Sequence, residues 1–290
     1  MDELPGSASS LPHQLISDWI KVPRAVRGKT VMFPTYPPSP LSSYMAARTI
    51  FTLHDLTWWK YPESSSSGGK HYYRKLAERA LLCADVIVTH TEAVASELRD
   101  SGLVQSQKRI EVVSPAPMTL LKDGQFSAPR PYILAVGTQE PRKNLVALVE
   151  AYNRSGLTKE VDLCIIGRTA WGRVSPVPGV RLVTKATDAE LSGAYKGALG
   201  LIAPSLYEGF GLPLIEASLA GIPVACSDIP VFHEVTSGYA EFFDPNDVED
   251  MQRALMWLAA GGRQNPSALA CAQSFSWDRA AASVASLLAP

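Results

Sequence analysis

Four cysteines in 290 residues are too few and too scattered for the frameworks that cysteine usually builds. Cys83, Cys164, Cys226 and Cys271 show neither a metal-pair spacing nor a disulfide pattern, which points to a reducing, cytosolic setting. Charge of one sign is also lacking. The net charge is −1 and the first half is only slightly basic, so nucleic acid is excluded as a main partner and a membrane surface is not argued by charge alone. No apolar run is long enough to span a bilayer, and Met1–Ser10 has no basic stretch or apolar core of a secretory leader. No D-x-D segment and no clustered ligand set occur, so no metal is implied. Before Thr30 there is no G-G-x-G segment, only the isolated Gly6 and Gly28. What remains is 46% hydrophobic and 19% charged, and long enough for two modest α/β domains that each bury a core.

Short apolar runs alternate with amphipathic ones along the whole chain, which predicts an α/β protein of two doubly wound domains. Leu11–Val26 reads as a helix whose end Pro23 weakens, with Leu15, Ile16, Trp19 and Ile20 on one face. Strands are expected at Thr30–Phe33, Thr49–Leu53, Asp85–Val88 and Ile110–Val113. His71–Cys83 is a helix through Tyr72, Leu76, Ala80 and Cys83, with Arg74, Lys75 and Arg79 off that line. Those basic residues form a solvated face or meet an anionic lipid-linked acceptor at a membrane surface. Thr91–Ser101 is a helix capped at Thr89 or Thr91. Leu121–Pro131 is a linker, after which strands fall at Tyr132–Val136, Val161–Ile166, Val180–Thr184, Gly200–Pro204 and Ile222–Ser227. Helices are expected at Leu145–Tyr152, after Thr187-Asp188 with Glu190 reaching back, at Val248–Ala259 capped by Asp244 or Asn246, and at Ser276–Leu288.

The stretch that carries most chemistry is Y-E-G-F-G-L-P-L-I-E-A-S-L-A, Tyr207–Ala220. An apolar strand enters it, glycines flank Phe210, and Pro213 sits where a helix begins. A strand, a glycine loop and a helix N-terminus make an anion site. Carboxylates bind hydroxyls rather than phosphates, so Glu208 and Glu216 around that loop suit a ligand with both phosphate and sugar, a nucleotide-sugar. Read alone, the stretch is an ordinary strand–turn–helix joint with solvent-facing glutamates.

Two glutamates eight residues apart around G-F-G-L-P resemble the signature of the retaining glycosyltransferases of family 4, which have the GT-B fold of two Rossmann-like domains facing a cleft. His54-Asp55-Leu56 with Tyr61-Pro62-Glu63, and the turn Gly137-Thr138-Gln139-Glu140-Pro141-Arg142-Lys143-Asn144-Leu145, resemble the same family. The resemblance implies that Gly137, Arg142 and Lys143 hold the donor diphosphate. It further implies that Glu208, with the backbone of Gly209, Phe210, Gly211 and Leu212, orients the sugar. Glu216 then holds the ribose, backbone near Thr184 and Lys185 lies by the base, and His54 meets the reacting face. His54, Arg142, Lys143 and Glu208 are thus the catalytic candidates. Without the resemblance, His54 is equally a strand-end histidine capping a loop, and Arg142-Lys143 is surface charge.

The domains implied are 1–121 on the acceptor side, 122–273 for the nucleotide-sugar, and a tail helix, 274–290, crossing back to the first. The first domain looks shortened and incomplete. Ser114-Pro115-Ala116-Pro117 also replaces the family's P-N-G near the expected hinge. The expected activity is metal-independent transfer of a hexose to a glycan or lipid-linked acceptor hydroxyl with retained configuration, without a cofactor. The donor is a GDP- or UDP-sugar, and the motif style resembles bacterial polysaccharide mannosyltransferases, which tilts it to GDP-mannose. The expected place is the cytoplasm, at the inner face of the membrane. The competing reading is a non-catalytic or partner-dependent nucleotide-sugar-binding subunit, with a protein partner completing the acceptor domain. A nucleotide-sugar epimerase is disfavoured, because that group lacks the loop between paired glutamates.

Overall fold

The computed structural model describes residues 16–61, 70–117, 124–169 and 177–289. Leu11–Leu15, Pro62–Gly69 and the expected boundary at Leu121 lie outside them. The chain forms two compact units, one of Met1–Ser114 with Trp277–Pro290, the other of Pro115–Ser276.

Among the described residues the first unit holds four parallel strands, β1 (Thr30–Phe33), β2 (Arg48–Thr52), β3 (Val86–Thr89) and β4 (Arg109–Val112), side by side in chain order. Ile50, Val86 and Val88 on the middle strands pack with Ala280 and Leu287 of the Trp277–Leu288 helix. Arg48 Nη1 donates to the carbonyls of Leu287 and Ala289, 2.9 and 3.1 Å away, which satisfies acceptors left over where that helix ends.

Several local expectations change. Pro23 does not end the first helix: a π turn over Ser17–Lys21 precedes it, and Pro23 sits in the first turn of Val22–Val26, where its missing N–H costs nothing. Ile16, Trp19 and Ile20 are exposed. The Lys70–Cys83 helix buries Leu76, Ala77, Ala80 and Leu81, while Cys83 is exposed. Of the two cap candidates, Thr91 accepts from the Val94 N–H. Pro40–Met45 is an additional short helix, with Ser39 as its cap and Pro40 in its first turn.

Among the described residues the second unit holds six parallel strands, β5 (Tyr132–Val136), β6 (Asp162–Ile166), β7 (Val180–Val183), β8 (Gly200–Ala203), β9 (Val224–Ser227) and β10 (Glu241–Phe243). They lie in the order β10-β9-β8-β5-β6-β7. Counted from β5, that is the doubly wound order in which the sheet grows one way from its first strand, then reverses at the fourth. The reversal falls between β5 and β8, and ligands of such sheets bind there, beyond the strands' carboxyl ends. Leu148, Tyr152, Leu163, Ile165, Leu255 and Leu258 form the fully buried core on one face. Asp247, and neither Asp244 nor Asn246, caps the Val248–Ala259 helix, accepting from the N–H groups of Glu249 and Asp250. Asp244 instead accepts from the Asn246 N–H.

Candidate functional site

At the sheet reversal, two neighbouring strands end in turns that meet. After β5, Gly137 takes φ 155°, a conformation that L side chains rarely adopt. A Cβ on Gly167, at the end of β6, would lie 1.9 Å from the Gly137 carbonyl oxygen, so the two backbones touch where only glycine fits. The chain then folds into a single 3₁₀ turn, Pro141–Lys143, and left-handed Asn144 (φ 56°) leads into the Leu145–Arg154 helix. After β8, Pro204–Phe210 forms the loop, and Gly211 at φ 104° opens the Leu212–Leu219 helix, with Pro213 in its first turn. The Leu206 N–H donates to the Arg142 carbonyl at 2.8 Å, stitching the two turns together.

Side chains complete the junction. Arg142 Nη1 donates to Glu208 Oε2 at 2.9 Å, Lys143 Nζ pairs with Glu208 Oε1, and Ser205 Oγ donates to the same oxygen at 2.8 Å. Arg142 also reaches Glu140 Oε2 (3.0 Å) through Nε and the Tyr207 carbonyl (3.3 Å) through Nη1. The Arg142 and Lys143 side chains are only 16% and 14% exposed, so this is not solvated surface charge. Burial pushes the Glu208 carboxyl up, but the Lys143 and Arg142 charges and the hydrogen bonds from Lys143 and Ser205 prevail, leaving it below its ordinary value. A small pocket opens between the strand ends, bounded by Lys143, Ser205, Glu208, Gly211, Pro213 and Phe232. Phe210 is buried edge-on against Phe275, with ring centroids 5.3 Å apart.

Glu216 lies in the C-terminal half of the Leu212–Leu219 helix and is half-buried. It accepts a 2.6 Å hydrogen bond from the hydroxyl of Tyr195, a fully buried residue of the Asp188–Gly197 helix. Burial raises the Glu216 carboxyl and the tyrosine bond pulls it part of the way back. Tyr195 carried no signal in the sequence, where it reads as one more core aromatic. Lys185 is exposed, in the connection that follows β7.

In the first unit, His54 is exposed just past the carboxyl end of β2. Asp55 beside it accepts from the Thr57 N–H at 2.8 Å and turns the chain into the short Thr57–Lys60 helix, so the second letter of the H-D-L motif does local work. His54 Nδ1 lies 2.7 Å from Nε2 of His90, at the end of β3. His90 Nδ1 lies 3.0 Å from the Val113 carbonyl, at the end of β4. His90 was not legible as a site residue, because no motif surrounds it.

Among the described residues no helix is long and apolar enough to cross a membrane. The profile of the family "Glycosyl transferases group 1" matches residues 119–272. The chain is 27% identical over 256 residues to the O-antigen chain mannosyltransferase B of Escherichia coli, covering 80% of this chain and 67% of that one. It is 32% identical over 215 residues to the O-antigen chain mannosyltransferase RfbU of Salmonella typhimurium, covering 70% and 59%. Its fold is similar to a sucrose-phosphate synthase from Thermosynechococcus elongatus, with TM-score 0.67 and 21% identity over 85% of this chain and 70% of that one. A trehalose-phosphate synthase from Burkholderia xenovorans gives TM-score 0.68 at 12% identity, over 97% and 79%. At such identities these structures speak for the fold alone, which is GT-B-like, with two parallel α/β sheets. With the profile spanning more than half of its length, the chain belongs to the group 1 glycosyl transferases.

Proposed function

We propose that this chain is a mannosyltransferase that moves a hexose from a nucleoside-diphosphate sugar to a hydroxyl of a growing polysaccharide, retaining the anomeric configuration. The observation that carries the reading is the junction of Arg142, Lys143 and Glu208 at the sheet reversal, beside the N-terminus of the Leu212–Leu219 helix. Two fixed cations and a helix N-terminus suit a diphosphate whose charge grows as it leaves. The mannosyltransferase names of the relatives support mannose and an O-antigen-type acceptor.

In this reaction the bond from sugar C1 to the β-phosphate oxygen breaks, and a bond from C1 to the acceptor oxygen forms on the same face. The acceptor's proton passes to the departing phosphate, so no protein nucleophile is needed. Lys143 and Arg142 stabilise the leaving diphosphate, with no metal required for that task. Glu208 holds both cations in place and presents its carboxylate to the sugar. The backbone of Gly209–Leu212 lies along the donor, Gly137 lets the diphosphate approach, and Glu216, aimed by Tyr195, accepts from the ribose hydroxyls. Lys185 and its neighbours flank the base.

Calorimetric titration with GDP-, UDP- and ADP-sugars tests this reading, with Glu216→Ala as control. The expected result is micromolar binding of GDP-mannose that the substitution abolishes. Binding of no donor would overturn the proposal, and binding without transfer to any acceptor would favour a non-catalytic subunit.

A further inference from the structure

The carboxyl ends of β2, β3 and β4 are linked by a chain of hydrogen bonds from His54 to His90 to the Val113 carbonyl. The direction of each link follows from elementary chemistry. A carbonyl oxygen only accepts, so His90 Nδ1 carries a proton and donates to Val113. In a neutral imidazole the other nitrogen is then an acceptor, so His90 Nε2 receives, and the nitrogen 2.7 Å away, His54 Nδ1, must donate. A neutral His54 with its proton on Nδ1 has its lone pair on Nε2. Two further contacts fix the geometry. Ser114 Oγ donates to the His90 carbonyl at 3.0 Å, and the Val113 N–H donates to the Thr89 carbonyl at 2.8 Å. His90 is therefore held by the Val113 carbonyl at its ring and by the Ser114 hydroxyl at its own carbonyl, while His54 is exposed. Burial favours the neutral form of His90. The Val113 bond and the Asp55 charge oppose this, the nearby His54 adds to it, and the net shift is downward.

We propose that His90 is a positioning residue that locks His54 as the Nδ1–H tautomer, so that the exposed His54 presents Nε2 as a hydrogen-bond acceptor at the carboxyl end of β2. The tautomer stands on the hydrogen-bond chain alone, and its effect on turnover rests on the transferase reading above. An isolated imidazole prefers its proton on Nε2, where it would offer a donor. His90 thus inverts the polarity of the group that the site presents, from donor to acceptor. Such an acceptor selects for a partner group that gives a proton and against one that only accepts.

Long-range proton–nitrogen NMR on the full chain with labelled histidine reads the tautomer without any sugar. The five histidines are resolved by assigning His54 with a His54→Gln variant. At about pH 8, where imidazoles are neutral, His54 is expected to show a protonated Nδ1. In His90→Leu the proton should move to Nε2, and in His90→Gln, whose amide oxygen can occupy the acceptor position, it should stay on Nδ1. An Nε2–H tautomer in the unsubstituted chain would overturn the proposal, as would an unchanged tautomer in His90→Leu. The unsubstituted and Gln forms decide the matter even where the Leu variant fails to fold. Donor turnover should fall at least about tenfold in His90→Leu with donor affinity kept, and recover in His90→Gln. Equal turnover in all three would also sink the positioning role. A chain that turns over no donor would overturn the transferase reading and leave the tautomer result standing.

Discussion

Glu208 and Glu216, eight residues apart and alike on paper, sit in opposite electrostatic environments. Glu208 meets two cations and is held below its ordinary value, whereas Glu216 is raised by burial that the hydrogen bond from Tyr195 only partly offsets. For Glu208 the folded value lies under the unfolded one of about 4.3. Its stabilisation is therefore present above that value and lost as pH falls through the folded one. Glu208→Gln should cost about 3 kcal/mol at neutral pH, since it strips two buried cations of their shared partner. Denaturant titrations should show the difference closing below pH 4. For Glu216 the sign reverses. The folded form favours the proton, so stability is full below the unfolded value and falls as pH rises through the raised one. Glu216→Gln should then raise the melting temperature at pH 7 and leave it unchanged in acid. Nucleoside diphosphate should bind about tenfold more weakly, because a charged acceptor becomes a neutral one. A melting temperature lowered at pH 7 would contradict the raised carboxyl.

At the scale of elements, local chemistry was legible wherever one segment fixed its own ends. The strand Tyr132–Val136, the Thr187–Glu190 capping box and the helix Val248–Ala259 were all readable because apolar runs and caps lie next to each other in sequence. The cap at Asp247 was not, since Asp244, Asn246 and Asp247 are all plausible and only the turn geometry selects among them. The helices Pro40–Met45, Pro230–Thr236 and Ser267–Ser274 were also missed. Each is eight residues or fewer, too short to be stable on its own propensity, and depends on tertiary packing. Gly211, by contrast, announces itself. At φ 104° a Cβ would lie 2.9 Å from the ring of Phe232, which is 1% exposed and cannot yield. Gly211→Ala should cost about 1–3 kcal/mol. It should also displace the helix N-terminus, read as lost nucleotide affinity beside a lowered melting temperature.

For the molecule as a whole, the sequence showed alternation but not order. That β8 lies beside β5 rather than β7 is what brings Lys143 within reach of Glu208, 65 residues later in the chain. Such a pairing leaves no trace in periodicity. The family resemblance implied that both residues belong to one site, and the sheet order supplies the reason. His90 and Tyr195 stayed hidden for a related cause, because their partners come from other strands and helices. The tail helix is a further long-range piece. Ala280 and Leu287 pack on the first unit's middle strands, and Arg48 holds the helix end. Deleting residues 277–290 should therefore speed amide exchange in β2 and β3 while leaving β5 and β8 protected. Equal loss of protection in both sheets would contradict that assignment.

The central claim is that Lys143 and Arg142 act on the leaving diphosphate more than on the resting donor. The measurement that addresses it most directly compares donor affinity, by calorimetry, with nucleoside diphosphate released per second in Lys143→Ala and the unsubstituted chain. Lys143 is the cleaner choice, since Glu208 keeps Arg142 as its partner. The account predicts that release falls about a hundredfold or more while the dissociation constant for the intact donor changes by less than about tenfold. Equal losses in binding and in turnover would contradict it, and would leave the junction as a binding site alone.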